Sequence, residues 1–412
     1  MSLKFLFIAP TPFFQNRGCH LRIRSEAQAL QQKGHEVLIV TYKEGENLAK
    51  LKIKRSRFAI GKFGQGVSSS FKNIPNGIIL FGLTLSETLK KRPDVLYCHL
   101  HEGISIGWAV KKFARIISFF KYNPILIFDG QGSLSSEMKE SGMIKNHFIL
   151  RLVKQLEKII LKFPDLIFIS SRNFFLRITK GKMLANVFFL PDAISVFGVK
   201  KESLLRYDRT KEEKEVILTD LNDSLSAEGQ ETLKNWVKNE KVIVTYTGSF
   251  TRTKGFFVLQ DKIMPHLKDN HQVKFLLGGG ELKEKTENQN YLCVPNLNAE
   301  NLKTLLLLSD IAIDPKPKNT TEASGKILNY MATALPVVCF KQPNNRFFLE
   351  ENGYYTEKEE GFVELIERLA VRKEERISNG QKNLARAFSN FTEEVAAETI
   401  EREIREFKTK QA

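Results

Sequence analysis

The stretch Ala323–Val338 (ASGKILNYMATALPVV) places a lysine where a helix is predicted to begin. Ser324 and Gly325 precede Lys326, and the residues after it are typical of a short helix followed by a buried strand. A cation at the first turn of a helix is unfavourable, because the helix dipole is positive at that end. Free backbone N–H groups together with the Lys326 ammonium therefore predict a site for an anion.

A glycine-rich loop with two cations follows the first predicted strand of the second half. In TGSFTRTKGFF (Thr247–Phe257), Gly248 allows the backbone to approach a ligand, and Arg252 and Lys254 bring positive charge to the same loop. Such a loop at the end of a parallel strand suits a phosphate or diphosphate. The alternative is a tight turn with two solvated cations.

A second glycine-rich strand end is LLGGGE (Leu276–Glu281), which contains Gly279 and Glu281. Its spacing is not GxGxxG, so it is not a dinucleotide fingerprint. It is either a turn that passes close under a ligand or a plain turn. Anion sites after different strands of one half could together hold both phosphates of a nucleoside diphosphate.

Predicted strand ends in the first half carry further candidate residues, one glycine and several polar side chains. The candidates are Gly18 in NRGCHLRI, His99, His101 and Glu102 in YCHLHEG, and Asp129 and Gln131 in FDGQGSLSSEM. On a strand, His99 and His101 would share one face. No third ligand has convincing spacing for a metal, so a neutral histidine contacting a sugar hydroxyl or carbonyl is the functional interpretation. The alternative is a pair of packed or surface histidines.

Short continuous apolar runs precede these candidates, which is typical of buried parallel strands. The runs are KFLFIAP, EVLIVTY, DVLYCHL, PILIFDG, DLIFISS and VFFLPDA in the first half, and VIVTYTGSF, VKFLLGGGE, DIAIDP and LPVVCF in the second. The sequence therefore predicts an α/β fold of two Rossmann-like, doubly wound domains facing a central cleft, with a C-terminal helix. The predicted boundaries are 1–197 (N-terminal domain), 198–240 (charged connector), 241–385 (C-terminal domain) and 386–412 (helix).

The excess of positive over negative charge lies in the first half of the 412-residue chain, whose net charge is +16. Residues 1–200 contain 31 Lys and Arg against 13 Asp and Glu, whereas residues 201–412 contain 32 against 34. A basic half predicts an anionic partner such as a membrane surface, and a lysine-rich solvated surface is the alternative. No nucleic-acid-binding module is recognisable, so nucleic acid is not an expected partner.

Cysteine spacing and hydropathy indicate the compartment. The four cysteines form no CxxC pair, which predicts a reducing compartment without disulfides or a zinc site. The first apolar run is too short for a signal peptide, and no uninterrupted apolar window is long enough to span a membrane. We expect a cytoplasmic protein, with peripheral contact at the inner face of a membrane suggested by the basic half.

The order of these motifs resembles the retaining glycosyltransferases of GT-B fold, family 4-like, over nearly the whole chain. The most specific part is SDIAIDPKPKNTTEASGKILNYMATALPVVCF, in which the matching residues are Lys326, Tyr330, Met331, Ala332, Pro336 and Val337. Three positions depart from the family pattern. Asn329 replaces the glutamate that holds the nucleotide ribose, Glu322 lies one position off the register of another glutamate, and Ser249 replaces a frequent arginine.

The resemblance implies transfer of a sugar, with retained configuration, from a nucleotide-diphosphate sugar to a glycan or lipid-linked acceptor, in cell-surface polysaccharide or glycoconjugate synthesis. It implies catalytic roles for Lys254, Lys326, His99 and His101. The implied donor-binding residues are Gly18, Gly248, Arg252, Gly279, Glu281, Glu322, Ser324, Gly325 and Asn329. Asp129, Gln131 and Glu102 would position the acceptor or the donor sugar, and neither a metal nor another cofactor is expected.

Two other functions remain open from the sequence. A nucleotide-sugar epimerase can share this architecture, although such enzymes usually carry more carboxylates in the cleft. A catalytically silent nucleotide-sugar-binding protein is suggested by Asn329. Turnover distinguishes them, since a transferase builds a product on an acceptor, an epimerase only interconverts donors, and a silent protein does neither.

Overall fold

The apolar runs of the sequence form parallel sheets in two compact units of the computed structural model. Unit 1 comprises Met1–Ala193, Thr321–Ala323 and Glu393–Ala412, and unit 2 comprises Ile194–Thr320 and Ser324–Thr392. The structure describes residues 2–15, 18–60, 74–140, 142–194, 210–218, 221, 224–280, 290–295, 297–318 and 320–411.

Unit 1 is built on a parallel sheet. The strands among its described residues are β1 (Lys4–Ala9), β2 (Glu36–Thr41), β3 (Lys52–Arg55), β4 (Val95–His99), β5 (Ile125–Gly130), β6 (Leu166–Ile169) and β7 (Val187–Phe189). Their order is β3-β2-β1-β4-β5-β6-β7, with parallel pairing throughout. This is the doubly wound order, with its switch point between β1 and β4.

Helices connect consecutive strands of this parallel sheet, except β2 and β3, which are joined by residues 42–51 without a helix. They are α1 (Gly18–Gln32), α2 (Ile74–Lys91), α3 (Leu100–Ile117), α4 (Leu134–Glu140), α5 (His147–Ile160) and α6 (Arg172–Thr179). Both faces of the sheet are buried: Phe5 and Phe7 of β1 pack into one core, and Leu6 and Ile8 into the other. That explains why the strands are continuous apolar runs and not alternating ones.

Unit 2 repeats the same design. Within its described residues the strands are β8 (Val242–Thr247), β9 (Val273–Gly278), β10 (Tyr291–Val294), β11 (Ile311–Asp314), β12 (Val337–Phe340) and β13 (Tyr354–Thr356). They pair in parallel in the order β10-β9-β8-β11-β12-β13. The carboxyl ends of β8, β9 and β11 are therefore neighbours at one edge of the sheet.

The helices of unit 2 begin in the charged segment 198–240. They are α7 (Lys211–Leu218), α8 (Ala227–Lys238), α9 (Phe256–Val258), α10 (Ala299–Leu308), α11 (Lys326–Ala332), α12 (Pro343–Leu349), α13 (Glu360–Ala370) and α14 (Lys373–Asn390). Short 3₁₀ turns lie at Arg252–Lys254, Met264–Leu267 and Glu350–Asn352, and a π-helical turn at Leu259–Ile263. The segment expected as a connector thus contributes α7 and α8 to unit 2, where Leu233 and Trp236 are buried.

The C-terminal region is helical but is not the single helix predicted at 386–412. The helix α14 ends before Phe391, whose ring is buried against Phe347 and Phe348, and a new helix, α15 (Glu393–Gln411), follows. The burial of that ring fixes the break. The apolar face of α15, with Ile400 and Ile404, packs into the core of unit 1 beside α1.

Candidate functional site

Two glycine turns lie side by side at the carboxyl edge of the unit 2 sheet. Gly248 follows β8 and Gly279 follows β9, and both have positive φ angles, of 124° and 102°. The Gly248 N–H donates to the Gly278 carbonyl at 2.8 Å. A Cβ built on Gly279 would lie 3.0 Å from the Gly248 carbonyl oxygen, so the two turns pack backbone against backbone. The structure thus brings together two predicted donor-binding residues.

Two hydrogen bonds to Tyr330 of α11 fix the end of β8. The Tyr330 hydroxyl accepts hydrogen bonds from the Thr247 N–H at 2.9 Å and from the Thr247 hydroxyl at 3.1 Å. Burial raises the pKa of Tyr330 to about 12, which keeps this phenol neutral. The turn at Gly248 therefore begins from a strand end that is held in place.

Lys326 lies beside the same turn. Its Nζ is 3.3 Å from Asp314 Oδ1, at the end of β11, and 3.8 Å from the centroid of the Tyr246 ring. A Cβ built on Gly248 would lie 3.8 Å from that Nζ. Asp314 is fully buried, and neither its carboxylate nor Lys326 Nζ makes an aligned hydrogen bond to any residue that the structure describes. A carboxylate of the chain itself therefore stabilises the cation at the start of α11.

The loop after β8 is tied to this cluster through Tyr246. The Tyr246 hydroxyl lies 3.1 Å from the carbonyl oxygens of both Ser249 and Lys254, which share its single donor proton. Gly255 has a φ of 85°, and a Cβ there would lie 2.2 Å from the Pro315 carbonyl oxygen. Arg252 is exposed, with its guanidinium 4.6 Å from the centroid of the Phe257 ring. Lys254 is half-buried.

The remaining predicted donor-binding residues are placed as follows. Gly325 precedes α11, and the Ser324 hydroxyl is buried without a hydrogen bond to any described residue. Asn329 is 7% exposed within α11, and its carbonyl accepts from the N–H and hydroxyl of Thr333. Glu322 belongs to the short segment that groups with unit 1, and Glu281 lies outside the described residues.

Asp129 is the centre of a buried polar cluster in unit 1. It lies at the end of β5, opposite His99 at the end of β4, and His99 Nδ1 is 3.0 Å from Asp129 Oδ2. Gln131 Nε2 donates to the same oxygen at 3.2 Å. Burial opposes the charge of Asp129, but Arg22 and His99 outweigh it and hold the pKa of that carboxyl well below its usual value.

Arg22 of α1 completes this cluster. Its guanidinium is 2.7 Å from Asp129 Oδ1, 2.9 Å from Glu26 Oε1 and 2.9 Å from Asp192 Oδ1. Glu26, His99 and Asp129 have possible metal-ligand atoms within 4.8 Å of one another. The guanidinium lies among these carboxylates and already supplies positive charge there. Burial raises the pKa of Glu26 well above its usual value despite Arg22.

His99 and His101 do not share a strand face, which corrects the prediction. Leu100, between them, has a φ of 62° and begins α3, so the chain turns away from the sheet. His99 is fully buried, and burial lowers its pKa. Its Nδ1 therefore carries the single proton, which it donates to the ionised Asp129, and its Nε2 remains an acceptor.

His101 belongs to a different cluster, around Glu157 of α5. His101 Nε2 lies 3.5 Å from Glu157 Oε1, and the hydroxyls of Ser133 and Ser135 donate to Glu157 Oε2. Burial opposes the charge of Glu157, but these partners lower its pKa to about 2. Glu102, one residue on from His101, instead accepts a hydrogen bond from the Tyr42 hydroxyl.

Gly18 is exposed at the first position of α1, and a Cβ built there meets no described atom within 4 Å. The structure therefore does not require glycine at this position.

Sequence reasoning missed Arg22, Glu26, Tyr246, Asp314 and Glu157. Asp314 could have been found from the sequence, because it is the acid at the end of the predicted strand DIAIDP. Arg22 lies within the apolar pattern of a predicted helix, where a buried charge requires a partner. No residue near Glu157 in the sequence indicates its role, since its hydrogen-bond partners come from distant parts of the chain.

Comparison with known families and structures agrees with this architecture. The family model described as "Glycosyl transferases group 1" matches residues 241–371. These residues are a glycosyl transferases group 1 domain. No curated protein matches the sequence.

Solved structures match over the whole chain. Sucrose-phosphate synthase from Thermosynechococcus elongatus has a TM-score of 0.71 and 14% identity, covering 99% of this chain and 100% of its own. The catalytic domain of starch synthase IV from Arabidopsis thaliana, bound to ADP and acarbose, has a TM-score of 0.71 and 14% identity, covering 99% of each chain. HepE from Anabaena, in complex with UDP and glucose, has a TM-score of 0.69 and 13% identity, covering 98% and 100%. The chain has the GT-B fold.

No helix in the described ranges is both long and apolar enough to cross a membrane.

Proposed function

We propose that this protein is a retaining glycosyltransferase of family 4 that transfers a sugar from a nucleotide-diphosphate sugar to a glycan or lipid-linked acceptor. The main support for this function is the position of Lys326. Its ammonium lies beside the Gly248 turn, between Asp314 and the Tyr246 ring, in a domain of the glycosyl transferases group 1 type. A cation held beside a glycine turn at the carboxyl edge of a parallel sheet suits a diphosphate.

The donor site performs the costly part of the reaction. The bond between the sugar C1 and the diphosphate oxygen breaks, and negative charge grows on the leaving phosphate. Lys326 and Lys254, with Arg252 of the same loop as Lys254, stabilise that charge in the transition state. The acceptor oxygen forms the new bond to C1, and its proton leaves with the diphosphate. The Gly248 and Gly279 turns let the phosphates approach the backbone, and no metal is needed for this step.

Other donor contacts come from the start of α11. The Ser324 hydroxyl and the Gly325 N–H bind the phosphates, while the Asn329 amide holds a ribose hydroxyl. An amide gives this contact no charge, so it is weaker than a carboxylate contact would be. Gly18, Glu281 and Glu322 complete the proposed donor set.

The polar clusters of unit 1 position the donor sugar and the acceptor. Asp129 and His99 are both fully buried, so they do not contact the substrate directly. Asp129 instead fixes Arg22 and Gln131 through hydrogen bonds. His101, Glu102 and Gln131 retain some exposure and make the contacts.

We assign the enzyme to the cytoplasm, in contact with an anionic membrane surface through α5. Four residues of α5 face the protein, and its other positions are exposed. The exposed positions include an apolar stripe, formed by Phe148, Ile149, Leu152, Leu156 and Ile159. Arg151, Lys154 and Lys158 flank this stripe, and its exposed positions include no acid. An apolar stripe beside a basic face is typical of helices that lie in a membrane interface. Such a location suits synthesis of cell-surface polysaccharide or glycoconjugate.

Thermal melting with nucleoside diphosphates tests the proposal. The panel contains UDP, GDP, ADP, CDP and TDP with their common sugar conjugates. A ligand at a hundred times its Kd should stabilise the folded protein by about 2.7 kcal/mol. Stabilisation by one base, followed by product formed on an acceptor, supports a transferase. Interconversion of donors without an acceptor product would indicate an epimerase, and binding without turnover a silent protein. A folded sample that no compound stabilises would contradict the donor site.

A further inference from the structure

Unit 1 contains an apolar cavity of about 440 Å³ between α2, α3 and the hairpin of α4 and α5. Its apolar wall includes Ile78, Phe81, Ile106, Ala109, Leu134 and Ile160. The volume lies within the usual range of small-molecule pockets, roughly 300–1,000 Å³. Such walls offer few partners to the hydroxyl groups of a glycan, and burying a hydroxyl without a partner costs roughly 2 kcal/mol or more.

One side of the cavity is polar and is formed by the first turns of α3. Glu102, His101 and Ser105 line it. A Cβ built on Gly77 would lie 2.8 Å from Glu102 Oε1, so the carboxyl group lies against the backbone of α2. Tyr42 donates to that oxygen, and Glu157 lies beside His101. These polar groups have fixed positions at the edge of an otherwise apolar space.

Burial raises the pKa of Glu102 to about 7, so at neutral pH about half of the molecules keep this carboxyl group protonated. A protonated carboxyl can donate a hydrogen bond to a hydroxyl or ether oxygen. An anionic group at this position would meet a carboxyl oxygen, and the residues that line the cavity include no lysine or arginine to compensate it. The cavity therefore suits an uncharged, hydroxylated group attached to an aliphatic chain.

We propose that this cavity binds the aliphatic chain of the acceptor and directs an uncharged, hydroxylated head group toward Glu102 and His101. The inference rests on the proposed function, because that function places His101 and Glu102 at the acceptor. It narrows the acceptor from a glycan or lipid-linked molecule to one with an aliphatic chain. The chain supplies affinity through buried methylenes, and the polar edge sets the depth at which the head group stops.

Calorimetric titration with n-alkyl β-D-glucosides tests the inference in the full-length protein. Hexyl, heptyl and octyl glucoside are used below their micellar concentrations, with methyl β-D-glucoside as the head group alone. Each added methylene should strengthen binding about fourfold until the cavity is filled. The Ala109→Phe variant, which places a ring in the cavity, should weaken octyl glucoside binding at least tenfold. The matched control is Ala385→Phe, on the exposed face of α14 in unit 2, which should bind like the wild type.

A second variant is used if the first does not fold. Circular dichroism and the melting temperature report whether Ala109→Phe is folded, and if it is not, Ser105→Leu fills the cavity one helical turn earlier. Affinity that is independent of chain length, or folded cavity variants that bind octyl glucoside like the wild type, would overturn the inference. Nucleoside diphosphate binding is measured in the same samples. Its absence from the wild type would count against the proposed donor site, whereas octyl glucoside binding reports on the cavity alone.

Discussion

The ammonium of Lys326 lies 3.8 Å from the centroid of the Tyr246 ring. The ring quadrupole attracts a cation at that distance. Tyr246 also holds the Thr247–Phe257 loop through its hydroxyl group, so one residue connects the cation of α11 with the glycine turn after β8. The donor site that we propose depends on this connection.

Replacing Lys326 should separate catalysis from stability. The Lys326→Met variant should lower kcat about 10²- to 10³-fold, as loss of a transition-state charge partner does. It should also destabilise the protein by about 3–5 kcal/mol, because Asp314 is left buried and unpaired. The double variant with Asp314→Asn should recover most of the stability and none of the activity. Steady-state kinetics and denaturant unfolding measure the two effects, and activity recovered by the double variant would contradict the assigned role.

Tyr246 should contribute through its ring and its hydroxyl separately. Tyr246→Phe keeps the ring under Lys326 but loses the hydrogen bond to the loop, which is worth about 1 kcal/mol. We expect a donor KM about fivefold higher with nearly unchanged kcat. Tyr246→Leu removes the ring as well and should also lower kcat. Equal kinetics of the two variants would show that the ring has no role.

Glu102 should make stability dependent on pH. Its pKa is about 7 in the folded protein, above the ordinary value of 4.5. Between these values the unfolded chain has lost the proton and the folded chain has kept it, so stability falls as pH rises and then stays level above 7. Glu102→Gln removes this loss and should be more stable than the wild type by up to about 3 kcal/mol above pH 7.

The control for this effect is Glu364→Gln, which removes an exposed carboxylate of α13. Urea unfolding of the three proteins from pH 4 to 8 measures the difference. Parallel stability profiles for the wild type and Glu102→Gln would contradict the raised pKa.

The α5 stripe should bind anionic vesicles. Replacing both Leu152 and Leu156 with Gln should weaken sedimentation with vesicles of phosphatidylglycerol and phosphatidylcholine at least tenfold, since each buried leucine contributes about 1.5–3 kcal/mol. Binding should also weaken as salt screens the basic face. Val216→Gln, at an exposed position of α7 in unit 2, is the matched control. Binding that is unchanged in the double variant would exclude α5 as the contact.

Much of the fold was predictable because its strands are buried on both faces. Runs such as KFLFIAP and VIVTYTGSF have no other simple explanation, and the parallel order follows from the helices between them. The proximity of Gly248 and Gly279 was also accessible, since the ends of neighbouring parallel strands meet at one edge.

The polar clusters were less accessible, because their partners are far apart in the sequence. Arg22 and Asp129 are 107 positions apart, and neither residue type indicates the other. A single backbone angle at Leu100 decided where His99 and His101 point, and periodicity cannot report one residue with a positive φ. Asp314 was visible only as a strand-end acid, so its ion pair with Lys326 required coordinates.

The helix α15 has a consequence for how the chain folds as it is made. Unit 1 takes part of its core from α15, through Ala396, Ala397, Ile400 and Ile404, although the rest of that core comes from the first 190 residues. The amino-terminal unit therefore leaves the ribosome exit tunnel with part of its apolar core exposed. That surface stays exposed until residues 393–411 have been synthesised. Unit 2 is complete at Thr392, before α15 is made, so it can finish first, reversing the usual order in which the amino-terminal domain folds ahead of the next one.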